Sequence, residues 1–257
     1  MRLDSAGWFK RKRGLVVLPV LAGALGALIA AGPTSGADAA QEAKNLADNV
    51  NNLKMIVIGL HGFAGAYSGT LPAAASCDAK GKPLASWRVY LAPFVGGEEI
   101  PNEYKYDEPW DSDSNKKLLK KMPAAYARPG DPDAAKGITH YRGFAGKHAA
   151  FAPPAALKDM IPPGFNLRKD FTDGLANTIL VADAADGVPW TKPDEIVVDD
   201  ADKALPKLGG LVDTGFHAAF GDGQVRFFPK SVDEKSLRAL ISRDGGEKVD
   251  LKELGIR

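Results

Sequence analysis

Cysteine is nearly absent from this chain. Cys77 stands alone among 257 residues, which excludes an intrachain disulfide. An excess of one charge is missing as well, with 33 Lys and Arg against 32 Asp and Glu, so no field steers the protein toward nucleic acid. Residues 1–39 hold five of the basic and two of the acidic residues, leaving 28 against 30 in the remainder. Aromatic residues make up only 8%, while 28 Gly and 18 Pro point to many turns. The common catalytic signatures are lacking too: there is no Gly-x-Ser-x-Gly elbow, phosphate loop, dinucleotide fingerprint or His-Glu-x-x-His. His61, His140, His148 and His217 are far apart and never at metal-ligand spacing. No enzyme and no resident metal is expected on these grounds.

One long apolar run is present, and its flanks give it meaning. Lys10-Arg11-Lys12-Arg13 precedes an uncharged, mostly apolar stretch from Gly14 to Ala31, and Ala37-Asp38-Ala39 follows. A basic region, an apolar region and an Ala-x-Ala site are the parts of a secretory signal. The run is also just long enough to span a bilayer, and the basic cluster would stay cytoplasmic. Residues 1–39 are therefore a cleaved signal or a membrane anchor. Residues 40–257 form one exported domain, held at the membrane facing the periplasm or cell surface, or released after cleavage. The membrane and other envelope proteins are the expected partners, without nucleic acid.

Residues 41–66 carry the clearest helical periodicity, with Ala43, Leu46, Val50, Leu53, Val57, Leu60 and Ala64 at three- and four-residue steps. Met55 to Leu60 is apolar nearly all round and should be packed on most sides, with His61 as a core histidine holding one backbone partner. Trp87–Phe94 reads as a strand and Glu98–Asp113 as a solvated acidic surface. Asn115–Met122 reads as a short basic helix capped by Ser112 or Asp113. Thr139–Phe144 and Ile179–Ala182 read as strands. Gly215–Phe228 reads as a hairpin whose Gly221 and Gly223 supply positive φ, with Val225 and Phe227 on its buried face. Ser231-Val232-Asp233-Glu234 reads as a capping box for a last helix closed by Gly245-Gly246.

The candidate binding residues come from turns and loops. Trp190 lies between Pro189 and Pro193, either as a lid on the core or as a surface ring for stacking a sugar or peptide. Asp173 and Asp222 each precede a glycine beside a strand. If those strands are neighbours, the two carboxylates could converge on a cation such as calcium. His217 is the histidine nearest this hairpin turn and the one on which a hydrolase reading would rest. Alternation puts it on the face opposite Phe216.

Six segments in order carry a resemblance to a known family. They are Asn51-Asn52-Leu53-Lys54 leading to Leu60-His61, Gly81–Val89, Asp107–Ser112, Phe171–Gly174 with Asn177–Val181, Val188–Pro193, and Gly215–Gly223. Together they resemble the mostly planctomycete family of exported prepilin-like proteins known as a domain of unknown function ("fifteen fifty-nine"). The resemblance implies a type IV pilin-like α+β fold. A long N-terminal helix packs on an antiparallel β-sheet that carries a C-terminal hairpin and short helix. It implies a structural or interaction role in the envelope and no reaction; the alternative is an extracytoplasmic carbohydrate- or cation-binding module. The chain departs from the family at Pro19, where prepilins carry a glutamate. It departs again at Val212, where many members place a histidine ten residues before the Asp-Gly.

Overall fold

Asn49, Leu53, Ile56, Val57, Leu60, Phe63 and Ala64 recur at helical spacing, and all are buried on one side of helix α1, Gly36–Ala66. The computed structural model describes residues 36–157 and 161–257; the basic cluster and the apolar run 14–31 lie outside them. Helix α1 already includes the five residues 36–40 ahead of the expected start, and with them Ala37-Asp38-Ala39. Its buried stripe is also rotated from the expected one. Ala43 is exposed and Val50 only half-buried, whereas Asn49 is buried and accepts the Tyr141 hydroxyl at 2.8 Å. Nor is the second half packed on most sides, since Met55 and Ile58 are 46% and 61% exposed. Gly59 lies on the packed face, where an added Cβ would come within 2.6 Å of Val95 and push the neighbouring segment away.

That neighbouring segment corrects another expectation. Trp87–Phe94 is helix α2, Trp87–Leu91, continued by a 3-10 turn over Ala92–Phe94. The alternation of Trp87, Val89 and Leu91 suggested a strand, but Arg88 and Tyr90 are buried as well, so neither face is solvated. The Ser86 hydroxyl accepts from the Arg88 N–H and starts the helix, and Pro93 sits near the start of a 3-10 turn, where it costs no hydrogen bond. A short helix α3, Ile100–Glu103, follows. Asn115–Lys121 is wound as 3-10 helix, with Ser112 Oγ accepting from the Asn115 N–H.

Among the described residues three sheets accompany these helices. Strands β1, Thr70–Pro72, and β6, Pro163–Asn166, make an antiparallel pair. Strands β2, Ala75–Cys77, β3, Pro83–Ser86, and β5, Ala155–Ala156, order as β3-β2-β5, with β2 and β5 parallel. The main sheet holds β4, Ile138–Ala145; β7, Ile179–Pro189; β8, Ile196–Val197; β9, Gly215–Phe220; and β10, Val225–Pro229. Its order is β10-β9-β7-β4-β8, antiparallel except for the β4–β8 edge. The α+β class with a long N-terminal helix and antiparallel-rich sheets is thus present.

Both faces of this sheet are covered. Tyr141, Val181 and Ala219 join α1 in one apolar cluster. Phe144, Ala182, Ala218, Phe220 and Phe228 join helix α4, Glu234–Ile241, in another. This overturns the two-faced reading of the hairpin. Phe228, expected on the polar face, is fully buried and stacks on Phe216 at 4.9 Å, while Arg226 shields the ring of Phe220 at 4.2 Å.

Two glycine and capping assignments also change. Only Gly223 has positive φ, as the last residue of a three-residue turn. Gly221 is instead required by closeness, because a Cβ there would meet Leu175 at 2.9 Å. Helix α4 is capped by Asp233, whose Oδ1 accepts from the Ser236 N–H at 2.9 Å and whose Oδ2 accepts the Ser236 hydroxyl at 2.7 Å. Ser231 therefore takes no part. Glu234 is the first helical residue and pairs with Arg238, and the helix ends at Ile241, before the two glycines.

Candidate functional site

The residues singled out in the sequence make separate bonds. Trp190 is fully buried, donates from Nε1 to the Leu118 carbonyl at 3.2 Å and stacks on Tyr126 at 6.1 Å. It belongs to the core and offers no face to a sugar. Asp173 accepts the Gly246 N–H at 3.0 and 3.1 Å and so ties the turn before β7 to the chain after α4. Asp222 accepts the Gln224 N–H at 2.9 Å and lies 3.4 Å from Arg226. The two carboxylates thus serve different local bonds. Among the described residues no three His, Cys, Asp or Glu side chains group so as to hold a metal ion.

The histidines are equally dispersed. His61 is exposed, not core, although it keeps the one expected backbone contact, at 2.7 Å to the Gly221 carbonyl. His140 engages the Ala184 carbonyl through Nδ1 and Asp131 through Nε2. His148 pairs with Asp244 at the surface.

His217 lies on the α1 face of β9, opposite Phe216 as alternation requires, with its ring against Phe227 at 5.4 Å. Burial depresses its imidazole from 6.5 to about 4. The folded state therefore holds His217 neutral while the unfolded chain binds its proton first as pH falls. The associated stability is complete above 6.5 and is lost between 6.5 and about 4, a difference of roughly 3 kcal/mol by linkage. In His217→Gln the urea midpoint is expected to change less across that interval than in the natural protein. Equal pH slopes would contradict the burial argument.

Two buried ion pairs, not marked by any motif, fix the loops around β4 and β7. Arg88 is fully buried. It pairs with Glu195 at 2.5 Å and donates from Nε to the Trp190 carbonyl at 3.0 Å. The other oxygen of Glu195 accepts the Gly143 N–H at 2.7 Å. Arg128 pairs with Asp183 at 2.5 Å and donates to the carbonyls of Ala184 and Gly209. Burial holds Asp183 above the usual carboxylate range although Arg128 opposes the shift. Asn115, fully buried, gathers the acidic segment by bonding both backbone groups of Lys105 and the Pro109 carbonyl.

That winding shapes an open groove of about 630 Å³ beside β2 and β3. Cys77, Leu84, Ala156 and Leu157 give it an apolar floor, and Tyr106 lines it between Lys105 and Asp107. Tyr106 is half-buried, with Tyr90 and Tyr104 packed on it at 5.3 and 5.2 Å. Burial pushes the Tyr106 hydroxyl up to about 12 and those of Tyr90 and Tyr104 higher still, so all three act only as neutral hydrogen-bonding groups. In the sequence alone Lys105–Asp107 reads as part of a solvated acidic surface. The signal available was a tyrosine pair inside an acidic run.

A family model described as "Protein of unknown function (DUF1559)" matches residues 47–210. The chain belongs to this family. The DUF1559 match begins inside α1 and includes both buried ion pairs and the groove, and it ends before the hairpin Gly215–Pro229. No curated protein and no solved structure matches the chain.

Proposed function

We propose that this DUF1559 protein is an exported envelope protein whose residues 36–257 serve as a non-enzymatic interaction module on a type IV pilin-like plan. The observation that carries this reading is the N-terminal part of α1, which stands clear of the core. None of residues 36–48 of α1 is buried. At 1.5 Å per residue they make roughly 20 Å of helix ahead of the packed part of α1. Among the described residues no helix is long and apolar enough to cross a membrane, so anchoring would rest on the preceding run. A structural role is supported by the partners of Arg88, Arg128, Asp173 and Asp222, whose bonds all serve to hold loops.

The test is the intact mass and N-terminal residue of the protein recovered from fractionated cells. Recovery in the envelope fraction is expected. There, a start at Ala40 means a released domain and a retained apolar run means an anchored one. Recovery in the cytosolic fraction beginning at Met1 would overturn the reading.

A further inference from the structure

The groove beside β2 and β3 has the size and lining of a ligand site, since small-molecule pockets occupy about 300–1,000 Å³ and combine an apolar lining with a few polar groups. Its polar groups show what it suits. Lys105 and Asp107 are exposed on either side of Tyr106, and among the described residues neither side chain has an ion-pair or hydrogen-bond partner. Asp78, whose Oδ1 accepts the Lys80 and Lys82 N–H groups, lines the groove as well, so the lining holds two carboxylates and one ammonium and does not favour an anion. The rim supplies instead a donor and an acceptor to a neutral ligand rich in hydroxyls. Between them, the ring of Tyr106 is braced by Tyr90 and Tyr104, which fixes its orientation before anything binds. A lipid chain or an apolar peptide anchor would use the floor but would desolvate both charges without pairing them. A sugar ring uses both, placing its C–H face on the aromatic ring and its hydroxyls on the rim.

We propose that this groove is a saccharide subsite in which a pyranose ring stacks on Tyr106 and hydrogen-bonds Lys105 and Asp107. The inference rests on the exported reading only for where such a glycan would be met. Binding in vitro is independent of it.

Cys77 provides the reporter, because it is the only cysteine in the chain, is partly exposed and lines the floor. The full chain in lipid nanodiscs would be titrated calorimetrically with cellotriose, chitotriose and maltotriose. The rate of Cys77 alkylation by N-ethylmaleimide would be followed in parallel. At least one trisaccharide is expected to bind and to slow alkylation several-fold. Tyr106→Ala is expected to weaken that binding by about tenfold, as loss of an aromatic anchor does, with Tyr106→Phe retaining it. Asp107→Ala changes an exposed side chain and leaves the fold intact, so its several-fold loss of affinity decides the matter if Tyr106→Ala fails to fold. Absence of binding by all three sugars, or binding that both keeps its affinity in Asp107→Ala and leaves Cys77 alkylation unchanged, would overturn the proposal. Saccharide binding by a chain found in the cytosolic fraction would uphold the groove and overturn only the exported reading.

Discussion

Glu195→Ala is expected to lower the unfolding free energy by about 3–5 kcal/mol, the range for removing one partner of a buried ion pair. Two consequences follow from the deletion. Arg88, with its side chain entirely out of solvent, would keep its charge without a counter-ion, and the Gly143 N–H would lose its acceptor inside the main sheet. The carbonyls of Trp190, Tyr141 and Lys192 still receive Arg88, but they are neutral and do not replace the carboxylate. Glu195→Gln should fall between, since it retains an oxygen for Gly143 and loses the charge. The double substitution Arg88→Met with Glu195→Leu should recover much of the loss, because it removes both charges together. Urea denaturation of the full chain measures all three. A loss below about 1 kcal/mol in Glu195→Ala, as for an exposed pair, would contradict the buried geometry.

Trp190→Ala is expected to cost about 3–5 kcal/mol, as large-to-small changes of buried aromatics do. The indole is fully buried beside Tyr126, and its removal leaves a cavity together with a Leu118 carbonyl that has lost its donor. The backbone of Trp190 matters separately, since its carbonyl accepts from Arg88 and its N–H donates to Gly137. That shared contact couples the two sites. Trp190→Ala combined with Glu195→Ala should therefore lose less than the sum of the two, as residues in one network do. Independent losses would mean that the loop and the ion pair are held separately.

The fold was legible where periodicity is local. The helix across residues 41–66, the strand from Thr139, the Gly215–Phe228 hairpin and the last helix all carry their own spacing and turn chemistry. The errors arose where long-range burial replaced alternation. Trp87–Leu91 looked like a half-buried strand because nothing local shows that Arg88 finds Glu195, 107 residues away. Phe228 looked solvated because a second helix covering the other face of the sheet is not visible in a five-residue pattern. Gly221 looked like a positive-φ residue because its actual requirement, closeness to Leu175, is a tertiary fact.

The candidate site was less legible still. Asp173, Asp222 and Trp190 were conspicuous for turn and loop chemistry, and the structure assigns each of them bonds that hold the fold. Tyr106 and its charged neighbours were inconspicuous, because a groove needs the floor from β2, β3 and β5 before Lys105–Asp107 has anything to border.

The most direct test of the account is protease accessibility in intact spheroplasts of cells making the full chain. Residues 36–257 are expected to be digested by protease added outside, while a cytosolic marker stays protected. Protection of the domain until the inner membrane is lysed would place it in the cytoplasm and contradict the account.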